Sequence, residues 1–373
     1  MDNSIVCDLF SRCSGCKSLR GVRVPEVWDE ICEFFKGVAP IQVELISKEI
    51  RHWRSRAKLA VRGSLDLPQI GLFAEGSHEV VDMKSCSLHY PVMDGALEKI
   101  RKGIIEYKIK PYQEKGHLGR FRYVQMVVDR KSLKIQLSLV FKGSSLEENE
   151  KAFVKRLYKE RVFHSIWANY LPEKTNAIFG RSWELLEGED VFFQEIGKIA
   201  FAFHPSCFAQ AHLSLFEEMI SYIDSLIAKD LSILELYAGV GCIGLSLADK
   251  AKKVLLVESS PYAKNSFEKS LNGLSLELKE KCLFLSSKVE DVDVLEGDVI
   301  LVDPPRKGLS RECKEKIFAS DAKQIIYISC GYESFMRDCL EILAKGWMLT
   351  DSRGFLLFPG TNHVEIVASF SKT

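Results

Sequence analysis

The chain has 373 residues, of which 46% are apolar and 27% are charged, a composition typical of a globular protein with one or more buried cores. Its 51 Lys and Arg residues balance 51 Asp and Glu residues, so no overall basic field indicates a nucleic-acid partner. No apolar run has membrane-spanning or signal-peptide length, and the odd number of 11 cysteines argues against a disulfide framework, so we expect a cytoplasmic protein with reduced thiols.

The first 200 residues predict a β-rich domain that carries a few helices. Short alternating runs with intervening turns are typical of antiparallel strands: IQVELIS, RAKLAVRG, RYVQMVVD and LKIQLSLVF. Two stretches have helical periodicity: PEVWDEICEFF and PVMDGALEKIRKGIIEY. A further helix, from about Cys207 to Leu226, is expected to lead into the next domain.

From about residue 231 the pattern changes to alternating strands and helices. The predicted strands are SILELY, KVLLVE, CLFLSS, DVILVD, QIIYIS, GWMLTDSRGFLLF and HVEIVASF. This alternation predicts an α/β domain with a doubly wound, mainly parallel sheet of the Rossmann type. The last two strands have no helix between them and predict an antiparallel hairpin at the sheet edge. We therefore expect two domains, residues 1–200 and 201–373.

A glycine-rich turn, LELYAGVGCIG, follows the first strand of this second domain. Gly239, Gly241 and Gly244 satisfy the dinucleotide pattern G-x-G-x-x-G, so a nicotinamide or flavin oxidoreductase is one hypothesis. Glu235 precedes the turn in the pattern E-x-x-x-G-x-G, and Glu258 ends the next strand, where a carboxylate accepts hydrogen bonds from a ribose. These two acidic residues favour S-adenosylmethionine as the cofactor.

Two further loops carry chemistry at the ends of later strands. Asp303 opens the sequence DPPR after the fourth strand, and Arg306 stands where amino-group methyltransferases have an aromatic residue. Cys330 ends the next strand, in QIIYISCG. Methylation at C5 of uracil needs a thiolate that adds to C6 and a base that removes the C5 proton. Cys330 is therefore a candidate nucleophile, against the ordinary alternative of a buried structural thiol.

Four motifs together resemble the RNA uracil-5-methyltransferase family: LELYAGVG, VDPPRKGL, YISCGYE and FPGTNHVE. The resemblance implies that Cys330 is the nucleophile and that Glu365, in the terminal H-x-E motif, is the base that removes the proton. It also implies a set of residues that contact the cofactor or line the cofactor and uracil pocket: Gln210, Tyr237, Gly239, Gly241, Glu258 and Asp303. Phe208, in FHPSCFAQAH, is expected to stack near the target base. The chain departs from the family at Gly331, where an asparagine is frequent, and no contact is assigned to Lys288.

Three cysteines near the N-terminus and one farther along form a potential metal site: Cys7, Cys13, Cys16 and Cys86. Four thiolates with no nearby histidine ligand suit either a [4Fe–4S] cluster or an all-cysteine zinc site. The resemblance implies the iron–sulfur cluster, since many ribosomal RNA members of the family carry a similar array. Its expected role is to attach the N-terminal arm to the β-rich domain.

Two stretches interleave basic and aromatic residues, a pattern that suits RNA binding: KEIRHWRSRAK and KIKPYQEKGHLGRFRY. The candidate RNA contacts are Arg51, Trp53, Arg54, Arg56, Arg120, Phe121, Arg122 and Tyr123. The alternative for each is a solvated strand edge. No separate N-terminal β-barrel of the TRAM type is expected, which resembles the compact branch that methylates 23S ribosomal RNA. Transfer RNA is the alternative substrate, and a non-catalytic iron–sulfur RNA-binding protein is the alternative class.

Overall fold

The computed structural model describes residues 3–372 and divides them into two compact units. The first unit comprises residues 3–20, 49–194 and 204–211, and the second comprises residues 21–48, 195–203 and 212–372. The helices are α1 (Val27–Val38), α2 (Pro91–Glu106), α3 (Glu148–Tyr158), α4 (Leu213–Leu226), α5 (Cys242–Leu247), α6 (Ala263–Asn272), α7 (Leu276–Lys281), α8 (Arg311–Ala319) and α9 (Tyr332–Ala344).

The strands of the first half are β1 (Glu44–Ile46), β2 (Arg56–Gly63), β3 (Pro68–Phe73), β4 (Val80–Asp82), β5 (Phe121–Val128), β6 (Ile135–Phe141), β7 (Phe163–Tyr170), β8 (Ser182–Gly188), β9 (Phe192–Ile196) and β10 (Ile199–Phe203). Those of the second half are β11 (Ser232–Leu236), β12 (Lys253–Glu258), β13 (Cys282–Ser286), β14 (Val299–Val302), β15 (Gln324–Ser329), β16 (Trp347–Phe355) and β17 (Glu365–Lys372).

The first unit is built on a seven-stranded sheet in the order β4-β3-β2-β5-β6-β7-β8. Its pairs are antiparallel except β6 and β7, which run parallel because α3 connects them across one face of the sheet. The helices α2 and α3 pack together where Gly103 allows it, since a Cβ there would lie 2.4 Å from the ring of Phe153. The prediction of a β-rich fold with a few helices is confirmed for this sheet.

The second unit is built on an eight-stranded sheet in the order β1-β16-β17-β15-β14-β11-β12-β13. All pairs are parallel except those that β17 makes with β15 and β16. The chain runs outward from β11 through β12 to β13 and then returns to β14 on the other side of β11. The predicted doubly wound sheet is confirmed, and its topological switch point lies between β11 and β14.

Two segments predicted to belong to the β-rich region belong instead to the second unit. Strand β1, from IQVELIS, pairs in parallel with β16, and α1, from PEVWDEICEFF, buries Ile31 and Phe35 in the core of the C-terminal sheet. The hairpin of β16 and β17 is consequently not at the edge of the sheet, because β1 covers β16. Local sequence patterns indicate that a segment is a strand or a helix, but not which sheet it joins.

Helix α4 begins six residues later than the sequence predicts. The preceding residues form turns and irregular backbone bonded within the first unit, where the Ala211 carbonyl accepts hydrogen bonds from the backbone N–H (2.9 Å) and hydroxyl (3.0 Å) of Ser55. The side-chain amide of Gln125 similarly donates to the Pro205 carbonyl at 2.8 Å. These bonds satisfy backbone groups that a helix would otherwise pair.

Between residues 3 and 372, no helix is both long and apolar enough to cross a bilayer.

Candidate active site

The glycine turn after β11 is fastened to the sheet by Glu235. The carboxylate of Glu235 is buried and its Oε2 accepts a hydrogen bond from the Gly244 amide at 2.9 Å. Burial raises the pKa of Glu235 to about 8, with the Gly244 bond acting against the rise and the charges of Asp303 and Glu258 adding to it. Gly241 has φ +84°, and a Cβ there would lie 2.6 Å from the side chain of Leu256, so this position requires glycine.

Glu258 stands at the carboxyl end of β12, as the sequence predicts. Its Oε2 accepts a hydrogen bond from the Gly239 amide at 3.1 Å and its Oε1 accepts one from the Ser260 amide at 2.7 Å. A small cleft beside it is lined by Tyr237, Val257, Glu258, Ser259, Ser287, Lys288, Val289 and Glu290. The hydroxyl of Tyr237 interacts with the Cys313 sulfur. The amides hold the carboxylate in place while leaving it lone pairs for ribose hydroxyls.

Asp303 follows β14 at the switch point of the sheet. Its backbone N–H donates to the Leu236 carbonyl at 3.4 Å, which brings it next to the end of β11. Burial raises the pKa of the Asp303 carboxyl to about 7. Its charge acts on Glu235 on one side and on Cys330 and Glu365 on the other. Asp303 therefore lies between the glycine turn and the cysteine loop.

Cys330 and Glu365 meet because of the strand register. Strand β17 runs antiparallel to β15, and Ser329 pairs with Ile366, so the residue after Ser329 lies beside the residue before Ile366. Strand β14 pairs in parallel with β15, Val302 opposite Tyr327, so Asp303 emerges at the same end. Three adjacent strands thus bring a thiol and two carboxylates together at one end of the strands, the end where β14 and β15 finish and β17 begins.

The electrostatics of this edge are governed by desolvation. Burial, and then the charges of Glu365 and Asp303, raise the pKa of Cys330 to about 11, while Arg306 opposes the rise. Glu365 is 5% exposed, and burial together with the charge of Asp303 raises its pKa well above the usual range. A carboxyl with a raised pKa is a stronger proton acceptor than an exposed one, and perturbed groups of this kind cluster at reactive sites.

Arg306 is a functional residue that the sequence pattern did not predict. Its charge opposes the raised pKa of Cys330 and Glu365 and contributes to the lowered pKa of His363. Its only sequence signal is the fourth position of the motif DPPR. A Cβ on Gly331 would lie 3.0 Å from the Arg306 carbonyl oxygen and 2.8 Å from the Ser334 hydroxyl. The two loops are therefore in close contact, which accounts for glycine at this position.

A buried carboxylate holds the DPPR loop against the sheet. Asp338 of α9 is 0% exposed, and its Oδ2 accepts hydrogen bonds from the Leu309 amide and the Tyr327 hydroxyl, each at 2.8 Å. Its Oδ1 accepts one from Lys314 at 3.2 Å. This set of bonds connects α8, α9 and β15 to the loop that carries Asp303 and Arg306.

The fold and the site together define a class of protein. A doubly wound sheet, a glycine turn braced by Glu235, and a carboxylate at the tip of β12 are the features of a Rossmann-like methyltransferase dependent on S-adenosylmethionine. The thiol and carboxylates at the neighbouring edge suit methyl transfer to an unreactive carbon.

Comparisons with known proteins identify the family. Residues 269–372 match the family model described as tRNA (Uracil-5-)-methyltransferase. The chain is 36% identical over 379 aligned positions to an uncharacterized RNA methyltransferase of Protochlamydia amoebophila, covering 99% of this chain and 98% of the relative. It is 29% identical to a second, from Oceanobacillus iheyensis, covering 89% of this chain and 74% of the relative. The chain belongs to the RNA uracil-5-methyltransferase family, and it is an RNA methyltransferase with S-adenosylmethionine as methyl donor.

A solved structure supports the fold. The tRNA (uracil-54, C5)-methyltransferase of Pyrococcus abyssi, in complex with S-adenosyl-L-homocysteine, superposes with a TM-score of 0.74 at 23% identity, covering 92% of this chain and 83% of that chain. At this identity the likeness is one of fold, and it confirms the predicted class of the C-terminal sheet.

The four N-terminal cysteines lie in the first unit within electrostatic reach of one another. Burial, and then the thiols of Cys86, Cys13 and Cys7, raise the pKa of Cys16 to about 11. The Gly15 amide donates a hydrogen bond to the sulfur of Cys13 at 3.4 Å. Within residues 3–372, however, no three His, Cys, Asp or Glu side chains are grouped closely enough to hold a metal ion. None of the 11 cysteines, all of which lie within residues 3–372, forms a disulfide.

Most of the predicted RNA-contact residues of the first unit are wrong as surface contacts. Phe121 is 0% and Arg122 is 1% exposed, and Trp53, Arg56 and Tyr123 are also buried. The guanidinium of Arg122 donates to the carbonyls of Leu171 at 2.9 Å and Thr175 at 3.0 Å. The alternation of basic and aromatic residues reflects a sheet that is covered on both faces, with buried cations bonded to backbone carbonyls.

Gln210 and Phe208 also lie in the first unit. Phe208 is exposed, whereas the side-chain oxygen of Gln210 is buried and has no hydrogen-bond partner among residues 3–372. Their assigned contacts to cofactor and base remain predictions of the resemblance.

Proposed function

We propose that this protein makes 5-methyluridine in ribosomal RNA, most specifically 23S RNA, through a covalent bond between Cys330 and C6 of the target uracil. The observation that supports this is the common edge shared by Cys330, Glu365 and Asp303, set by backbone pairing of β14, β15 and β17. S-Adenosylmethionine, when bound, supplies an electrophilic methyl group. Tyr237, Gly239, Gly241, Glu258 and Asp303 are the residues of the second unit that we assign to its binding.

In the proposed reaction, Cys330 is the nucleophile and Glu365 is the base. Cys330 loses its proton to solvent, with Arg306 favouring the thiolate. Its sulfur then bonds to C6 of uracil, so that the electron pair of the C5–C6 double bond moves into the ring enolate. Bound S-adenosylmethionine would supply the methyl group to C5, its sulfonium–methyl bond breaking to release S-adenosylhomocysteine. Glu365 takes the proton from C5, the double bond re-forms, and the sulfur leaves C6. Asp303 holds the ring for these steps.

The decisive experiment uses RNA that contains 5-fluorouridine at the target site. Because Glu365 cannot remove fluorine as it removes a proton, the protein should remain covalently attached to the RNA when S-adenosylmethionine is present. Cys330→Ser should form no adduct, whereas Cys32→Ser, on α1, should form it normally. With ordinary uridine RNA, Glu365→Gln should accumulate the adduct that the wild type resolves. An adduct formed by Cys330→Ser would refute the mechanism.

The choice of ribosomal RNA is tested separately. Transcripts of 23S RNA, 16S RNA and transfer RNA are incubated with methyl-labelled S-adenosylmethionine, and 5-methyluridine is measured by mass spectrometry. We expect label in 23S RNA. Label confined to transfer RNA would overturn the ribosomal assignment and leave the covalent mechanism standing.

We further propose that Cys7, Cys13, Cys16 and Cys86 hold a [4Fe–4S] cluster. Four cysteines supply the donor set, and the Gly15 amide bonded to Cys13 is the kind of N–H···S contact that supports such clusters. The charge of Arg54 acts on Cys13, Cys16 and Cys86, which would offset the negative charge of a four-thiolate site. Loading requires the four side chains to close in. When bound, the cluster would crosslink the N-terminal arm to the sheet of the first unit.

We place the protein in the cytoplasm.

A further inference from the structure

A cavity of about 810 Å³ opens beside Cys330 in the second unit. Its walls come from α1, from the loop after β14, from the first turns of α9 and from residues 362–364. Cavities of about 300–1,000 Å³ enclose ligands the size of a drug or a nucleotide. One uracil ring at Cys330 therefore leaves most of this space for another group.

Three cationic residues contribute to the lining of the cavity. Arg306, Lys307 and Arg337 line it, and among residues 3–372 neither Arg306 nor Lys307 forms an ion pair with a carboxylate. Arg337 donates to the Lys307 carbonyl at 2.7 Å, which fixes the loop that carries the other two cations. Cations with no carboxylate partner, on a fixed loop next to the proposed RNA-modifying thiol, are suited to a phosphate of the RNA backbone.

The same cavity also offers an aromatic ring and carboxylates. The hydroxyl of Tyr332 donates to the Glu30 carbonyl at 2.9 Å, and its ring meets the ring of Phe34 edge-on, with centroids 6.4 Å apart. Two contacts thus fix the orientation of a half-buried aromatic face, on which a base can stack. Glu30 and Glu333 line the same cavity. Carboxylates accept hydrogen bonds only, so they select a base edge that presents donors.

We propose that this cavity binds the nucleotide next to the target uridine, with its phosphate at Arg306 and Lys307, its base on Tyr332, and its Watson–Crick donors directed to Glu30. The proposal rests on the proposed function, because it requires a uridine at Cys330. Among the bases, guanine presents adjacent N1–H and N2–H groups that match the two oxygens of one carboxylate. The cavity therefore selects guanine beside the methylated uridine.

The test uses short RNAs with one target uridine, in which the base on either side is varied. Binding is measured by fluorescence anisotropy with S-adenosylhomocysteine present, and adduct formation is measured with 5-fluorouridine. On one side of the uridine, we expect guanine to bind about tenfold more tightly than uracil, since bonds to a charged acceptor are strong. Inosine, which lacks the N2 amino group, should fall between them.

Single substitutions test the carboxylate, the cation and the aromatic ring of the cavity separately. Glu30→Gln should remove the preference for guanine, whereas Glu33→Gln, on the same helix but outside the cavity, should keep it. Lys307→Ala should weaken binding equally for all neighbouring bases and reduce the salt dependence by about one counterion, and Lys345→Ala, at the other end of α9, should not. Tyr332→Leu removes the stacking ring and should bind all sequences more weakly. Tyr332→Phe keeps the ring but loses its bond to the Glu30 carbonyl, and should bind less weakly than Tyr332→Leu.

Different results would contradict the nucleotide site and the proposed function. If wild-type binding and adduct formation are insensitive to both neighbouring bases, or if Glu30→Gln retains the guanine preference, the proposed nucleotide site is wrong. If no RNA forms an adduct, the proposed function itself fails. Thermal melting of each variant shows whether a loss of binding reflects unfolding, and the pair Tyr332→Phe and Tyr332→Leu keeps the test valid if Glu30→Gln is unstable.

Discussion

Cys330 and Glu365 lie side by side at the ends of two antiparallel strands, because Ser329 of β15 pairs with Ile366 of β17. In a purely parallel sheet the start of the last strand would lie at the opposite edge from the end of β15. The reversal of β17 therefore brings the acid to the thiol. Backbone pairing of the residue before Cys330 with the residue after Glu365 therefore sets this geometry.

The reactivity of Cys330 should depend steeply on pH. Its pKa of about 11 means that the thiol is protonated at neutral pH in the free protein, so alkylation by iodoacetamide should accelerate about tenfold per pH unit from 7 to 10. Glu365→Gln removes a negative charge and should raise the rate at pH 9, and Arg306→Gln should lower it. Peptide mass spectrometry follows the modification of Cys330. A rate that levels off near pH 7 would contradict this expectation.

Glu235 should make the protein less stable as pH rises. Its folded-state pKa of about 8 exceeds the ordinary 4.5, so the folded state binds the extra proton between these values and the free energy of unfolding falls across that window. Glu235→Gln should reduce this loss by on the order of a few kcal/mol. Urea unfolding at pH 5, 6.5 and 8 measures the slope. Some slope should remain, because burial also raises the pKa of Asp303.

The role of Glu235 in the glycine turn can also be tested through ligand binding. Glu235→Ala removes the acceptor of the Gly244 amide and should weaken S-adenosylhomocysteine binding in calorimetry, whereas Glu235→Gln keeps an acceptor and should preserve it. Equal slopes in the wild type and in Glu235→Gln would show that this carboxyl ionises normally.

Replacement of the buried Asp338 should strongly destabilise the second unit. Asp338→Ala leaves the buried Lys314 with only the exposed carboxylate of Glu341 and releases Leu309 and Tyr327, so we expect a loss of about 3–5 kcal/mol in unfolding free energy. Tyr327→Phe should cost about 1–2 kcal/mol. Glu341→Gln is the matched control, since Glu341 also pairs with Lys314, at 2.7 Å, but is largely exposed and should cost less than about 1 kcal/mol. Equal losses for all three variants would contradict a buried hub.

The N-terminal cysteines should be required for iron. After anaerobic reconstitution, the wild type should be brown with about four iron atoms per chain, as expected for a [4Fe–4S] cluster. Cys16→Ser and Cys86→Ser should lose most of the iron and the visible absorption, and Cys32→Ser and Cys282→Ser should retain both. Stoichiometric zinc without iron in the purified protein would instead identify the site as an all-cysteine zinc site.

Much of the second unit could be predicted because its signals are local. Strand β15 spans the same residues, Gln324 to Ser329, that the apolar run QIIYIS indicates, and β12 ends at Glu258 as the run KVLLVE does. The glycine turn and Asp303 follow directly on such strands. Residues at the carboxyl ends of parallel strands gather at one edge without further information.

Other features depend on partners that are distant in the sequence. Basic and aromatic alternation around Arg122 resembles an RNA-binding surface, but the sheet that contains it is covered on both faces, so the guanidinium is bonded to backbone carbonyls inside the unit. Equally, nothing in VWDEICEFF shows that Glu30 reaches a cavity beside Cys330. The pattern of one helix gives the direction of its apolar face and not the surface that this face covers.

The amino-acid sequence alone determined the order of the elements, the cofactor turn and the candidate nucleophile and base, since each is encoded in a few contiguous residues with a fixed conformational or chemical requirement. Tertiary structure alone decided that α1 and β1 join the C-terminal sheet, that the predicted RNA-contact strands are buried, and that two loops enclose a cavity with α1. These outcomes depend on which apolar surfaces exclude water together, a property of the whole chain that no local segment carries.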